Sequence, residues 1–279
     1  MYKKIGIVAC SNPEKASFKS KMIQLCAVLQ NIGFCPVLSD YIYDNGNGFS
    51  GTGKERADSV MKFYRDPEIE AIFDISGGDM ANEILPYLDF NVIAENNKPF
   101  CGYSDLTTIV NAIMTITGEE SILYQVKNLI YDHGKEQAET LKSTFFNKTN
   151  ELYDFEYSFV QKDKMEGNLI GGNIRCFLKL AGTQFMPNFR GKILLLESFG
   201  GGVPQMVTYL CQLKLLGAFE KINGILLGTF SKMEGENLQP DIISLVKSVV
   251  GENIPIAKTS YIGHGTNSKA AVIGRYYSL

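Results

Sequence analysis

The amino-terminal half of the chain predicts an open parallel α/β sheet, on three observations. Short apolar runs alternate with stretches of helical period, turn residues separate the two, and the order is strand then helix each time. Lys4 to Cys10 suits a buried parallel strand, and Ser11-Asn12-Pro13 breaks it. Phe18, Met22, Leu25, Cys26 and Leu29 then recur at helical spacing, and Gly33 ends that helix. Phe34 to Leu38 reads as the second strand. Asn45 to Gly53 is a glycine-rich loop, and Thr52 is placed to cap a helix over Lys54 to Tyr64. Ala71 to Ser76 is the next strand, followed by Gly77-Gly78-Asp79. Met80 to Leu88 is helical around Leu85, and Pro86 keeps it short or bent. Pro99 to Gly102 leads to Ser104, with a helix starting near Asp105.

The pattern changes after Leu141. Ser143 to Asp163 is polar with scattered aromatics and no helical stripe, and reads as a connection with short strands. Beyond Gly167, Lys192 to Glu197 and Gly224 to Thr229 are strand-like, while Met206 to Leu216 and Ile242 to Val250 are helical.

Composition narrows the function. The 279 residues are 45% apolar and 20% charged, an ordinary globular balance for one large domain or two modest ones. The net charge of -3 gives no footprint for a nucleic-acid polymer. The apolar run Ile5 to Cys10 is too short for a signal-peptide core or a membrane span, so a soluble cytoplasmic protein is expected. Six scattered cysteines without a C-x-x-C pair read as buried free thiols in a reducing compartment. Two histidines argue against a histidine-rich zinc site, and no metal or cofactor is expected.

Five motifs bear on chemistry. Gly48 to Lys54 imitates a phosphate-binding loop, but Glu55 stands where a magnesium-binding hydroxyl belongs, and no apolar strand leads directly into it. A surface loop capping a helix explains it better. Gly102-Tyr103-Ser104-Asp105 lies between strand and helix, where a sharp turn lifts a hydroxyl from the sheet edge. Leu106 replaces the usual glycine after such a turn, and a helix-capping serine gives the same pattern. A serine nucleophile needs a base. His133 sits in a polar turn and reads as surface, whereas His264 lies between two glycines that leave its ring accessible. Glu197 ends the apolar strand Ile193 to Leu196, an expensive place for an unpaired carboxylate and a suitable one for orienting an imidazole. A structural ion pair is its alternative. Gly77-Gly78 is a tight turn that can also aim amides at an anion.

These segments resemble the LD-carboxypeptidase family, peptidase family S66, which includes microcin C immunity proteins. The resemblance rests on Ile75 to Gly78 with Asn82 to Asp89, Lys98 to Asp105, Gly171-Gly172-Asn173, Leu180 to Thr183, Gly191 to Glu197, and Gly263-His264-Gly265, in the family's order. It implies an α/β domain over 1–142 carrying Ser104 and a linker over 143–166. It further implies a smaller β-rich domain over 167–279 carrying Glu197 and His264, with the site where the two meet. It implies a metal-free homodimer in which Ser104 is the nucleophile, His264 the base and Glu197 its orienter. The amides of Gly78 and Asp105 are the implied oxyanion donors.

The family offers two substrates, a murein tetrapeptide that loses D-alanine or a peptidyl-aspartyl-adenylate. A non-catalytic small-peptide binder of the same fold is a third reading. Ser76-Gly77-Gly78 departs from the Arg-Gly-Gly common in the recycling branch, and Asn82-Glu83 and Glu197-Ser198 look more like the immunity branch. The chain has no Trp to stack on a nucleobase, a role that Phe or Tyr can fill.

Overall fold

The computed structural model describes residues 2–279. Strands β1 (Lys3–Val8), β2 (Phe34–Leu38), β3 (Ile69–Asp74), β4 (Phe100–Gly102) and β5 (Ser121–Leu123) pair in parallel, in the order β5-β4-β3-β1-β2. Helices α1 (Lys19–Ile32), α2 (Gly53–Arg65), α3 (Phe90–Glu95) and α4 (Thr107–Thr117) connect them, and α5 (Gly134–Asn147) follows. A second sheet runs through β6 (Ser158–Gln161), β7 (Glu166–Asn173), β8 (Lys192–Ser198), β9 (Gly224–Phe230) and β10 (Ile256–Lys258). Its helices are α6 (Ile174–Phe177), α7 (Val203–Leu215), α8 (Ser231–Gly235) and α9 (Ile242–Val250). The chain then sends β11 (Ala271–Ile273) back to pair antiparallel with β5 of the first sheet, and β12 (Tyr276–Ser278) to edge the second beside β7. The α/β class and the second sheet are as the sequence predicts. The second sheet is also parallel at its centre, from β7 to β10, with antiparallel edges.

Two sequence expectations need correction. The polar stretch after Leu141 is not irregular from the start, because α5 continues through it to Asn147. The buried face of α5 is Gln137, Leu141 and Thr144, so two polar residues hide the helical period. Gln137 repays its burial by accepting from Tyr124 Oη–H at 2.8 Å and donating to Ser268 O at 3.1 Å. The cysteines are all free, but only Cys10, Cys101 and Cys176 are buried; Cys26 is half-buried, and Cys35 and Cys211 are exposed.

Helix α4 ties the sheets together. Every residue from Thr107 to Ile113 is buried, which marks a helix packed on all sides rather than one with a wet face. Its Leu106, Ile109 and Ile113 neighbourhood belongs to one apolar core with Leu169, Ile193 and Leu195 of the second sheet. The polar members dock on β7. Asn111 Nδ2–H donates to Gly171 O at 2.8 Å, Gly171 N–H donates to Asn111 Oδ1 at 2.9 Å, and Asn173 N–H donates to Thr107 Oγ1 at 3.0 Å. Buried polar groups matched this way fix one register between helix and strand.

Candidate active site

The helix fixed against β7 is entered through Ser104. After β4 the backbone is extended at Tyr103 (φ -138°) and swings to φ 57° at Ser104 before a single 3-10 turn enters α4. The left-handed region costs an L-residue roughly 1–2 kcal/mol. The buried residues on either side hold the turn in place. Tyr103 is packed in the core, and the Asp105 carboxylate is completely buried. Asp105 Oδ2 accepts from Ser11 Oγ–H at 2.6 Å and from Ala81 N–H at 2.8 Å, while Lys179 Nζ donates to Oδ1.

The turn aims the serine at the second sheet. Ser104 Oγ–H donates to His264 Nε2 at 3.1 Å, and His264 Nδ1–H donates to Glu197 Oε2 at 2.8 Å. A carboxylate only accepts, so the neutral ring carries its hydrogen on Nδ1 and leaves Nε2 to receive the hydroxyl's proton. Glu197 lies in β8 and is wholly buried. Its Oε1 meets no protein donor at normal geometry, and neither does Tyr103 Oη. Even so, the phenol lies close enough to feel the carboxylate. Burial first, and the Glu197 charge second, push Tyr103 well above its ordinary range. The imidazole is held between two rings, Tyr103 edge-on at 5.1 Å and Phe199 tilted at 5.0 Å. Its loop is pinned where Thr229 N–H donates to Ile262 O at 2.7 Å and Ser268 Oγ–H donates to Gly263 O at 2.8 Å.

Gly78 sits where the first sheet's strand order reverses, beyond the carboxyl ends of β1 and β3, the usual ligand crevice of such sheets. Its φ is 118°, and a Cβ there would fall 2.2 Å from Asn12 Cγ, so no larger residue fits. Asn12 fixes the loop, donating from its N–H to Gly77 O at 3.1 Å and accepting from Asp79 N–H at 2.9 Å. Below it Asp74, whose pKa burial raises, accepts from Cys10 N–H at 2.7 Å and from Ser76 Oγ–H at 2.6 Å. Ser76 Oγ in turn accepts from Ser11 N–H at 2.8 Å, so Ser76 is part of the buried scaffold. Neither the Gly78 nor the Asp105 amide donates to a backbone carbonyl among the described residues.

A cavity of about 310 Å³ opens beside Ser104, lined in part by Gly78, Asn173, Arg175, Phe199 and Tyr209. The sequence-derived residues therefore gather here: Ser104, His264 and Glu197 in one hydrogen-bonded line, with Gly78 on the cavity wall and Asp105 next to the serine. His133 does not join them. It is exposed, with Nδ1 against Thr266 Oγ1 at 2.8 Å. Lys54 pairs with Asp58 at 2.6 Å, away from the cavity. Asn12, Arg175 and Lys179 escaped the sequence reading. The one available signal was their place just past the carboxyl ends of β1 and β7.

Comparison with known proteins fits this arrangement. The model of the LD-carboxypeptidase N-terminal domain matches residues 5–124, and that of the C-terminal domain matches residues 166–279. The chain belongs to the S66 peptidase family. Among S66 relatives, the Microcin C7 self-immunity protein MccF of Escherichia coli is 27% identical, over 90% of this chain and 83% of its own length. A Bacillus subtilis protein named "Probable murein peptide carboxypeptidase" is also 27% identical, over 97% of this chain and 86% of its own. The fold matches the structure of MccF in complex with aspartyl sulfamoyl adenosine at a TM-score of 0.87. That match has 23% identity and covers 100% of this chain and 93% of the other. No helix among the described residues is long and apolar enough to cross a membrane.

Proposed function

We propose that the protein is a serine hydrolase that cleaves an amide bond near the carboxyl end of a small peptide, with a murein tetrapeptide losing D-alanine as the first substrate. The observation that carries this reading is the line from Ser104 Oγ through His264 to the buried Glu197 carboxylate, beside a cavity. In the cycle, Ser104 Oγ attacks the scissile carbonyl as His264 Nε2 takes its proton. Glu197 stabilises the imidazolium, and the amides of Gly78 and Asp105 hold the oxyanion. His264 then protonates the departing amine, and water, activated by the same imidazole, releases the acyl group and restores the serine. No metal or cofactor takes part. The reading treats the protein as a cytoplasmic homodimer in murein recycling, and sedimentation of the purified chain checks the dimer.

A second substrate is favoured by one observation. Phe199 is 64% exposed beside His264 and lines the cavity with Tyr209, offering aromatic surface to a nucleobase in a chain without Trp. MccF has been captured with aspartyl sulfamoyl adenosine, which makes a peptidyl-aspartyl-adenylate the alternative. Mass spectrometry after incubation with each compound separates the two. Loss of D-alanine supports the first and release of the nucleotide part the second. No cleavage of either, with no labelling of Ser104 by a serine-directed reagent, leaves a non-catalytic peptide binder.

A further inference from the structure

Among the described residues lining the cavity beside Ser104, Arg175 alone carries a permanent charge. It stands in α6, two residues past the end of β7, so the strand delivers it to the loop of Gly78. Its Nη2–H donates to Gly78 O at 2.9 Å and its Nη1–H donates to Asp79 Oδ1. Two of its five N–H donors are thus engaged. The pair with Asp79 is an open one, since the Arg175 side chain keeps 43% of its surface and Asp79 keeps 61%. An ion pair this exposed is weak and yields readily to another anion. Lys179, the neighbouring cation, is committed elsewhere. It serves the completely buried Asp105 carboxylate, and removing it would leave that charge unpaired in the core.

We propose that Arg175 is the anchor for an anionic group on the leaving side of the scissile amide. The inference rests on the acyl-transfer reading above and assigns to Arg175 the selection of amides whose departing amine bears an anion close to the nitrogen. A terminal amino acid carries a carboxylate one carbon from that nitrogen, and an acyl phosphoramidate carries phosphoryl oxygens on it. The planar guanidinium fork meets either anion with paired N–H bonds. The cavity of about 310 Å³ has room for the departing amino acid or its phosphoryl counterpart beside Arg175. Because Arg175 bonds the carbonyl of Gly78, an anion held on its free N–H groups lies next to the amide assigned to the oxyanion. The anchor and the reacting carbonyl are thereby set by one loop.

The test compares the murein tetrapeptide with its carboxyl-terminal amide, and adds an aspartyl-adenylate conjugate joined through a C(=O)–N–P phosphoramidate link, for wild type, Arg175→Gln and Arg175→Lys. Wild type should favour the free carboxylate by roughly 10- to 100-fold in kcat/KM, the size of one charge-assisted contact. Arg175→Gln should bring that ratio to near one, with Arg175→Lys between. Loss confined to the conjugate assigns the anchored anion as phosphoryl. A folded Arg175→Gln protein, checked by its thermal midpoint, that keeps the preference for acid over amide and turns over the conjugate as wild type does overturns the proposal, as does a wild type that cleaves acid and amide equally well with conjugate turnover indifferent to Arg175→Gln. Calorimetry in a Ser104→Ala background separates this from the hydrolase reading. If wild type cleaves nothing, yet the Ser104→Ala protein binds the acid over the amide and Arg175→Gln erases the difference, the anchor stands without the hydrolase. Asp79→Asn, which frees the guanidinium, should tighten binding of the acid form, and weaker binding there counts against the proposal.

Discussion

Two passages into a helix put a hydroxyl residue in nearly the same place and make opposite use of it. At the start of α2, Thr52 is extended, and its Oγ1 accepts from Glu55 N–H at 3.2 Å while Glu55 Oε2 accepts from Thr52 N–H at 2.8 Å. The hydroxyl is consumed within its own turn, a reciprocal cap. In the 3-10 turn that leads into α4, Ser104 turns through φ 57° and makes no capping bond. Its hydroxyl finds its partner 160 residues away, on His264. The difference teaches that a helix-start hydroxyl is free for chemistry only when the backbone is bent so that the cap cannot form. The strain at Ser104 keeps the oxygen out of its own helix.

Breaking each passage should give distinct results. Ser104→Ala, in a protein that still folds, should lower kcat by about 10⁴-fold or more, and full activity would falsify the acyl-transfer reading. Glu197→Gln keeps the shape but loses the charge that fixes the His264 tautomer, and should cost roughly 10³- to 10⁴-fold in kcat. A fall below tenfold would mean that Glu197 is structural. Thr52→Ala should leave kcat/KM alone and cost about 1 kcal/mol in denaturant unfolding. Ser104→Gly sharpens the contrast in the other direction. It should abolish turnover while raising stability by about 1 kcal/mol, because glycine adopts positive φ without penalty. A destabilised Ser104→Gly protein would show that the turn is unstrained. The smallest effect belongs to Lys54→Ala. Its exposed partner Asp58 is one helical turn on, so stability should change by less than about 0.5 kcal/mol. Magnesium-dependent ATP binding lost in that variant would revive the phosphate-loop reading.

What could be read in advance follows the same division. Local chemistry was legible: Thr52 as a cap, Gly33 as a helix end, and Glu55 as the residue that disqualifies the phosphate loop. Ser104, His264 and Glu197 were legible as candidates, since two histidines and few strand-end carboxylates left few choices, and the family resemblance joined them. The positive φ of Ser104 was not, because it is imposed by buried neighbours 24 to 94 residues distant, Ala81 and Ser11 on the Asp105 carboxylate. Nor was the extent of α5, whose inward face is polar. Arg175 gave no signal of its own. An arginine after Asn173 reads as surface until β7 and the Gly78 loop are brought together.

The return of the chain to its first sheet has a consequence for the imidazole. His264 rides on the segment between β10 and β11, and those strands belong to different sheets. Its two hydrogen bonds divide the same way, one to a side chain from each lobe. The ring therefore works as a gauge of alignment. Slide one lobe past the other by an ångström, and either the serine or the glutamate contact opens, together with the Asn111 and Thr107 bonds that hold α4 on β7.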